Sequence, residues 1–161
     1  MAIIKPNNNT ISAITALQTG LGGKVLQVVQ DLNTSEQGIS STSYVDTNLS
    51  ANITPSSSSN KILVCVNFNN YLKRYNAVSL SKIVRDSTDL TEISNGFYDN
   101  DTGYGLTDPS VFYLDTPNTT SAVTYKIQAK INSGAQLTIN ANLGSAGTSS
   151  LTLMEIAGWK F

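Results

Sequence analysis

The chain has 161 residues, a formal net charge of −1, 13% charged residues and no histidine. That length fits one domain, able to bury a core without disulfides or metals. The missing histidine removes the Ser-His-Asp triad, histidine acid–base chemistry and most zinc sites. The small net charge leaves no basic stripe to neutralise a phosphate backbone, so nucleic acid is not an expected partner.

About a third of the chain is Asn, Ser or Thr. Such side chains suit turns and the wet faces of strands, and the balance is typical of extracellular and virion β-proteins. Met1-Ala-Ile-Ile-Lys-Pro6 has no apolar region of the kind that opens a signal peptide. No run approaches the length of a membrane span, so membrane insertion is not expected.

Residues 1–23 differ from the rest. An apolar start is followed by Asn7-Asn-Asn-Thr10. Thr10 offers a cap for one or two helical turns carrying Ile11, Ile14 and Leu17, and Gly20-Leu-Gly-Gly23 ends the segment. An exposed apolar arm with a glycine hinge suits docking onto a neighbour. The expected organisation is therefore an anchoring arm, 1–23, and a folded unit, 24–161.

After the hinge, strands are expected near Lys24–Gln30, Ser41–Asp46, Leu49–Thr54, Lys61–Asn69, Ala77–Arg85, Ser110–Asp115, Ala122–Ile131, Gln136–Asn142 and Ser149–Gly158. The clearest is Ala122–Ile131. Val123, Tyr125, Ile127, Ala129 and Ile131 fall on one face, and Thr124, Lys126, Gln128 and Lys130 on the other. Period two means one buried and one wet face, the mark of antiparallel sheet. Leu137, Ile139 and Ala141 repeat the pattern against Thr138, Asn140 and Asn142. Strand 61–69 is apolar on both faces and is expected to be central and covered twice. Within it Cys65 reads as a small core residue, since a nucleophile would want a histidine partner. Tyr71-Leu-Lys-Arg-Tyr75 reads as a loop or strand end with solvated charges. The whole predicts an all-β chain, an antiparallel β-sandwich or jelly-roll-like knob.

The longest irregular stretch is expected at 95–109. It gathers Phe97, Tyr98 and Tyr104 with Asp99, Asp101 and Asp108. Aromatic faces and carboxylate acceptors suit contact with sugars, and loops on a rigid sandwich are where binding residues concentrate. These six are the candidate receptor-binding residues. Inward-turned rings and turn-capping aspartates are the competing reading. An EF-hand beginning at Asp99 would need Gly sixth and Glu twelfth; Tyr104 and Ser110 stand there instead. No metal, cofactor or catalytic residue is assigned, and an enzyme is not expected.

Four segments resemble the small fibre-type structural proteins of tailed bacteriophages, especially those of aquatic bacteria and cyanobacteria. They are Gly23-Lys-Val-Leu-Gln-Val-Val-Gln30, the stretch from Thr42 through Leu49-Ser-Ala-Asn-Ile-Thr54 to Val64, Asp115–Ala129, and Ser149-Ser-Leu-Thr-Leu-Met-Glu-Ile156. The opening twelve residues resemble the starts of such proteins too. The resemblance implies a protein of the virion surface, a homotrimer, with residues 1–23 gripping other virion proteins. It also implies a compact knob that contacts a host glycan or surface protein. A capsid or tail decoration protein with a purely structural role is the alternative. The terminal Trp159-Lys-Phe161 gives a weaker reason to expect oligomers, because two rings at a chain end gain from burial against a neighbour.

Overall fold

The alternating segments become strands in a computed structural model, which describes residues 24–74, 78–94, 104–144 and 147–158. No helix occurs among them. Four strand pairs each run on through a corner. They are β1 (Val25–Asn33) into β2 (Gln37–Ile39), β4 (Lys61–Asn67) into β5 (Tyr71–Arg74), β8 (Tyr104–Thr107) into β9 (Ser110–Asp115), and β11 (Gln136–Ile139) into β12 (Ser149–Ile156). The remaining strands are β3 (Val45–Ile53), β6 (Val78–Arg85), β7 (Thr88–Ser94) and β10 (Val123–Ser133).

Before the corner the first layer is ordered β1-β12-β4-β9, and beyond it β2-β11-β5-β8. Three backbone bonds cross the corner. Phe68 N donates to Pro109 O (2.9 Å), Asn140 N to Asn69 O and Ala141 N to Asn70 O (3.1 Å each). The facing layer is ordered β3-β10-β6-β7, and every pairing in both layers is antiparallel. The result is an antiparallel β-sandwich.

The core lies between the layers. Ile62, Val64 and Val66 of β4 and Leu151 and Leu153 of β12 meet Leu49 and Ile53 of β3, Tyr125 and Ile127 of β10 and Ile83 of β6. Each of these is at most 2% exposed, so each contributes roughly 1.5–3 kcal/mol relative to an exposed position. Phe68 and Tyr71 fill the corner with ring centroids 5.2 Å apart.

Several expectations need correction. The separate strands 41–46 and 49–54 are one strand, β3. Lys126 pairs with Ser50 and Gln128 with Asp46, so three residues of β3 oppose Ile127. This bulge, together with the Thr47 Oγ1 that accepts from Leu49 N, is what reads as a turn in the sequence. β5 is a full strand held between β11 and β8, not a loop. The strands β2, β7 and β8 were not expected. β7 is polar, and its place depends on pairing with β6 across the two-residue turn Asp86–Ser87. Three strands also stop earlier than the apolar runs suggest, at Asn67, Ile139 and Ile156.

Strand 61–69 is central but not fully covered twice. Its inner side is buried, while Leu63 and Cys65 on the outer side are partly exposed. Cys65 is thus outside the core, although burial still raises its thiol pKa. Thr138 and Asn140, expected on a wet face, are each 1% exposed. The arm 1–23 and the terminal rings Trp159 and Phe161 lie outside the described residues.

Candidate functional site

The sandwich has two unlike ends. Lys24 O accepts from Ala157 N, and Gln27 Nε2 donates to Thr54 O. Segment 54–60, the turn at Asp86 and the loop before Val123 meet at this same end. At the opposite end Arg74 pairs with Tyr104, Leu80 with Ser94 and Ser133 with Val78. Ser94 and Tyr104 therefore stand at the end remote from Lys24. Along β10, whose 11 residues run from one end toward the other, the separation is roughly 33 Å.

Of the six candidate contact residues, Phe97, Tyr98, Asp99 and Asp101 lie outside the described residues. The expected long loop is shorter than the sequence suggests, because 104–107 is strand β8. Tyr104 opens that strand opposite Arg74. Asp108 is placed at the corner, where its Oδ1 accepts from Asn70 N at 2.7 Å. Asn70 has φ 48°, a left-handed conformation that Asn tolerates. Asp108 thus stabilises a corner.

The same corner holds a buried amide network. Asn140, with φ 54°, donates through Nδ2 to Asn33 O (2.8 Å) and Ser35 O (3.1 Å). Its Oδ1 accepts from Ser149 Oγ at 2.6 Å, and that hydroxyl accepts from Asn69 N. One side chain therefore ties three of the four corner crossings together. Each polar atom named here has a partner, which burial requires.

Two buried carboxylates have structural partners. Glu155 Oε1 accepts from Ser56 N (2.7 Å), Ser56 Oγ (2.8 Å) and Asn60 Nδ2 (2.6 Å), and Oε2 from Gln27 Nε2 (2.6 Å). Burial pushes its pKa up, but the bonds from Asn60, Gln27 and Ser56 outweigh it and lower the pKa from 4.5 to about 2. It is held ionised at neutral pH and clamps segment 54–60 onto β12. Asp115 Oδ2 accepts from Tyr125 Oη (2.6 Å) and pairs with the Arg85 guanidinium (2.5 Å). This joins β9 of one layer to β10 and β6 of the other. Burial first, then the Asp115 bond, pushes the Tyr125 pKa well above the usual phenol range. Among the described residues, no group of three His, Cys, Asp or Glu side chains could hold a metal ion.

The two outer faces have opposite characters. Outside β3-β10-β6-β7, Lys82 pairs with Asp89 and Lys126 with Asp46. Tyr44 donates to Glu92 and lies under the ammonium groups of Lys82 and Lys130, 4.3 and 4.8 Å from the ring centroid. Such a face is adapted to water. Outside β1-β12-β4-β9, the register places Val28, Met154, Leu63 and Leu114 in one row across all four strands. The next row is Gln30, Thr152, Cys65 and Phe112. Phe112 is 70% exposed, Leu32 57%, Val28 56%, Leu114 51% and Leu26 41%. Sequence reasoning missed this face, although the apolar outer positions Leu63 and Cys65 of β4 were a visible sign of it. No protein-family model and no curated protein matches the chain.

Proposed function

We propose that this chain is a non-enzymatic structural protein of a tailed-phage virion, a homotrimeric fibre knob that contacts the host cell surface. One observation carries the reading: the polarity of the sandwich. Lys24 stands at one end, beside segment 54–60, and Ser94 and Tyr104 stand at the other. A knob anchored through residues 1–23 would meet a glycan or surface protein with its Ser94–Tyr104 end, the stretch to which Phe97, Tyr98, Asp99, Asp101 and Tyr104 belong.

The topology adds support. With the strands that continue through the corner counted as one, eight strands in sequence order form layers 1-8-3-6 and 2-7-4-5. We read this order as that of a double Greek key, the jelly-roll arrangement found in viral capsid domains among others. Fold alone does not assign function; the polarity carries the reading, and the resemblance in sequence names the setting.

The test is location and adsorption. Antibody raised to the chain should label purified particles at a fibre tip, and soluble knob should compete with particles for host cells. Tyr98→Ala combined with Tyr104→Ala should keep the fold and weaken that competition at least tenfold. Labelling of the head, with no effect of soluble knob on adsorption, would replace the reading with a decoration protein. Absence from purified particles would end both.

A further inference from the structure

We propose that the outer face of β1-β12-β4-β9 is the surface through which copies of this chain associate. The inference deepens the trimer reading above and rests on it for the number of copies. The face is unlike the rest of the surface. Five side chains, Leu26, Val28, Leu32, Phe112 and Leu114, are between 41% and 70% exposed. Together they present roughly 500 Å² of largely apolar area, near the upper end of what a monomer tolerates as its largest patch. Leu63, Met154 and Ile156 lie partly exposed between them and make the patch continuous across four strands.

Its layout is that of an interface. The two central rows are apolar apart from Gln30 and Thr152. Uncharged Ser150, Asn67 and Ser110 line one end of the face, and Lys61 stands at the other. An apolar centre with a polar rim is the anatomy of a specific contact. The apolar part alone is more than half of the roughly 800 Å² per subunit of a standard interface.

The geometry favours a second copy of this chain as the occupant. Exposed apolar groups stand on both edges, Val28 and Leu32 on β1 and Phe112 and Leu114 on β9. Four strands at about 4.8 Å spacing put those edges roughly 14 Å apart. Three such faces turned toward an axis parallel to the strands would seat the β9 edge of one copy against the β1 edge of the next, closing a ring. That axis also runs from the Lys24 end to the Ser94–Tyr104 end, so three copies of each end would be gathered together.

The full chain is tested by light scattering after gel filtration at micromolar concentration, where a trimer has three times the 17.2 kDa chain mass. Phe112→Glu with Leu114→Glu should give monomers with an unchanged far-ultraviolet spectrum. Val28→Lys with Leu32→Lys, on the opposite edge, should do the same. Thr124→Glu on the water-adapted face should leave the trimer intact. Cys65, at the centre of the face, should react with a soluble disulfide reagent at least tenfold more slowly in the wild type than in the monomeric variants. Trimers that survive both edge variants would overturn the assigned face while sparing the trimer reading. A wild-type dimer that the same variants split would keep the face and overturn the trimer. A wild-type monomer would overturn both.

Discussion

Replacing Glu155 with glutamine should remove a measurable part of the acid sensitivity of this fold. The side chain is fully buried and receives bonds from Ser56, Asn60 and Gln27 at 2.6–2.8 Å. These hold its pKa near 2 instead of 4.5, which at about 1.4 kcal/mol per pH unit corresponds to roughly 3 kcal/mol favouring the ionised folded form. Above pH 4.5 the carboxylate is charged in both states and the full contribution is present. Between pH 4.5 and 2 the unfolded chain binds the proton and the folded one does not. Lowering the pH through that window therefore drains the stabilisation.

Glutamine keeps one acceptor oxygen, which can serve Ser56 and Asn60. Its amide nitrogen then faces the Gln27 donor, so one bond is lost and the others lose their charge assistance. The expected cost at pH 7 is about 2–3 kcal/mol. The assay is urea unfolding at pH 7 and pH 3 at a fixed protein concentration, comparing midpoints at equal m. Wild type should lose more stability between the two pH values than Glu155→Gln. The lowered pKa of Asp46 acts in both proteins and cancels in the difference. Equal acid sensitivity, or a loss under about 0.5 kcal/mol at pH 7, would refute the clamp.

Asp115→Ala should destabilise by about 3–5 kcal/mol, because it leaves the Arg85 guanidinium and the Tyr125 hydroxyl without their shared acceptor between the layers. Asp115→Asn should cost less, and denaturant midpoints of the two variants give the comparison. At Asn140, glycine accepts the 54° φ and alanine strains it, while both lose the bonds to Asn33, Ser35 and Ser149. Calorimetry should therefore rank wild type above Asn140→Gly, and Asn140→Gly above Asn140→Ala by roughly 1 kcal/mol.

The parts of the fold legible in the sequence were those with one buried and one solvated face. β10 repeats its alternation over five inward positions, Val123 to Ile131, and the structure buries all five. The parts that were not legible depend on partners distant in sequence. β5 carries Lys73 and Arg74, yet it is a strand because β11 and β8 pair with it on both sides. β2 has three residues, including Gly38, too few for any period. The bulge in β3 places Thr47 and Asn48 mid-strand, where their local hydrogen-bonding habit imitates a turn. Asn140 looked like a wet-face residue because an amide is polar. Its burial follows from the corner, which leaves backbone carbonyls of β1 and its continuation in need of a donor.

The candidate contact residues and the outer apolar face were legible to different degrees, for different physical reasons. Aromatic and acidic residues in a glycine-rich stretch can be recognised by composition, but composition does not separate a binding aspartate from a capping one. Asp108 illustrates this: its partner, Asn70, lies 38 positions away. The apolar face is hidden by the periodicity itself. In β9, Val111 and Tyr113 pack against the core while Phe112 and Leu114 point out, and both sets are hydrophobic. A period of two identifies two faces without saying which one is inside. Only the register, which aligns Leu114, Leu63, Met154 and Val28 across four strands, turns scattered apolar residues into one surface. Isolated exposed hydrophobics are ordinary on a soluble protein, whereas a continuous row is costly to leave in water. That cost is the physical reason to look for a second copy on this face before a ligand in any loop.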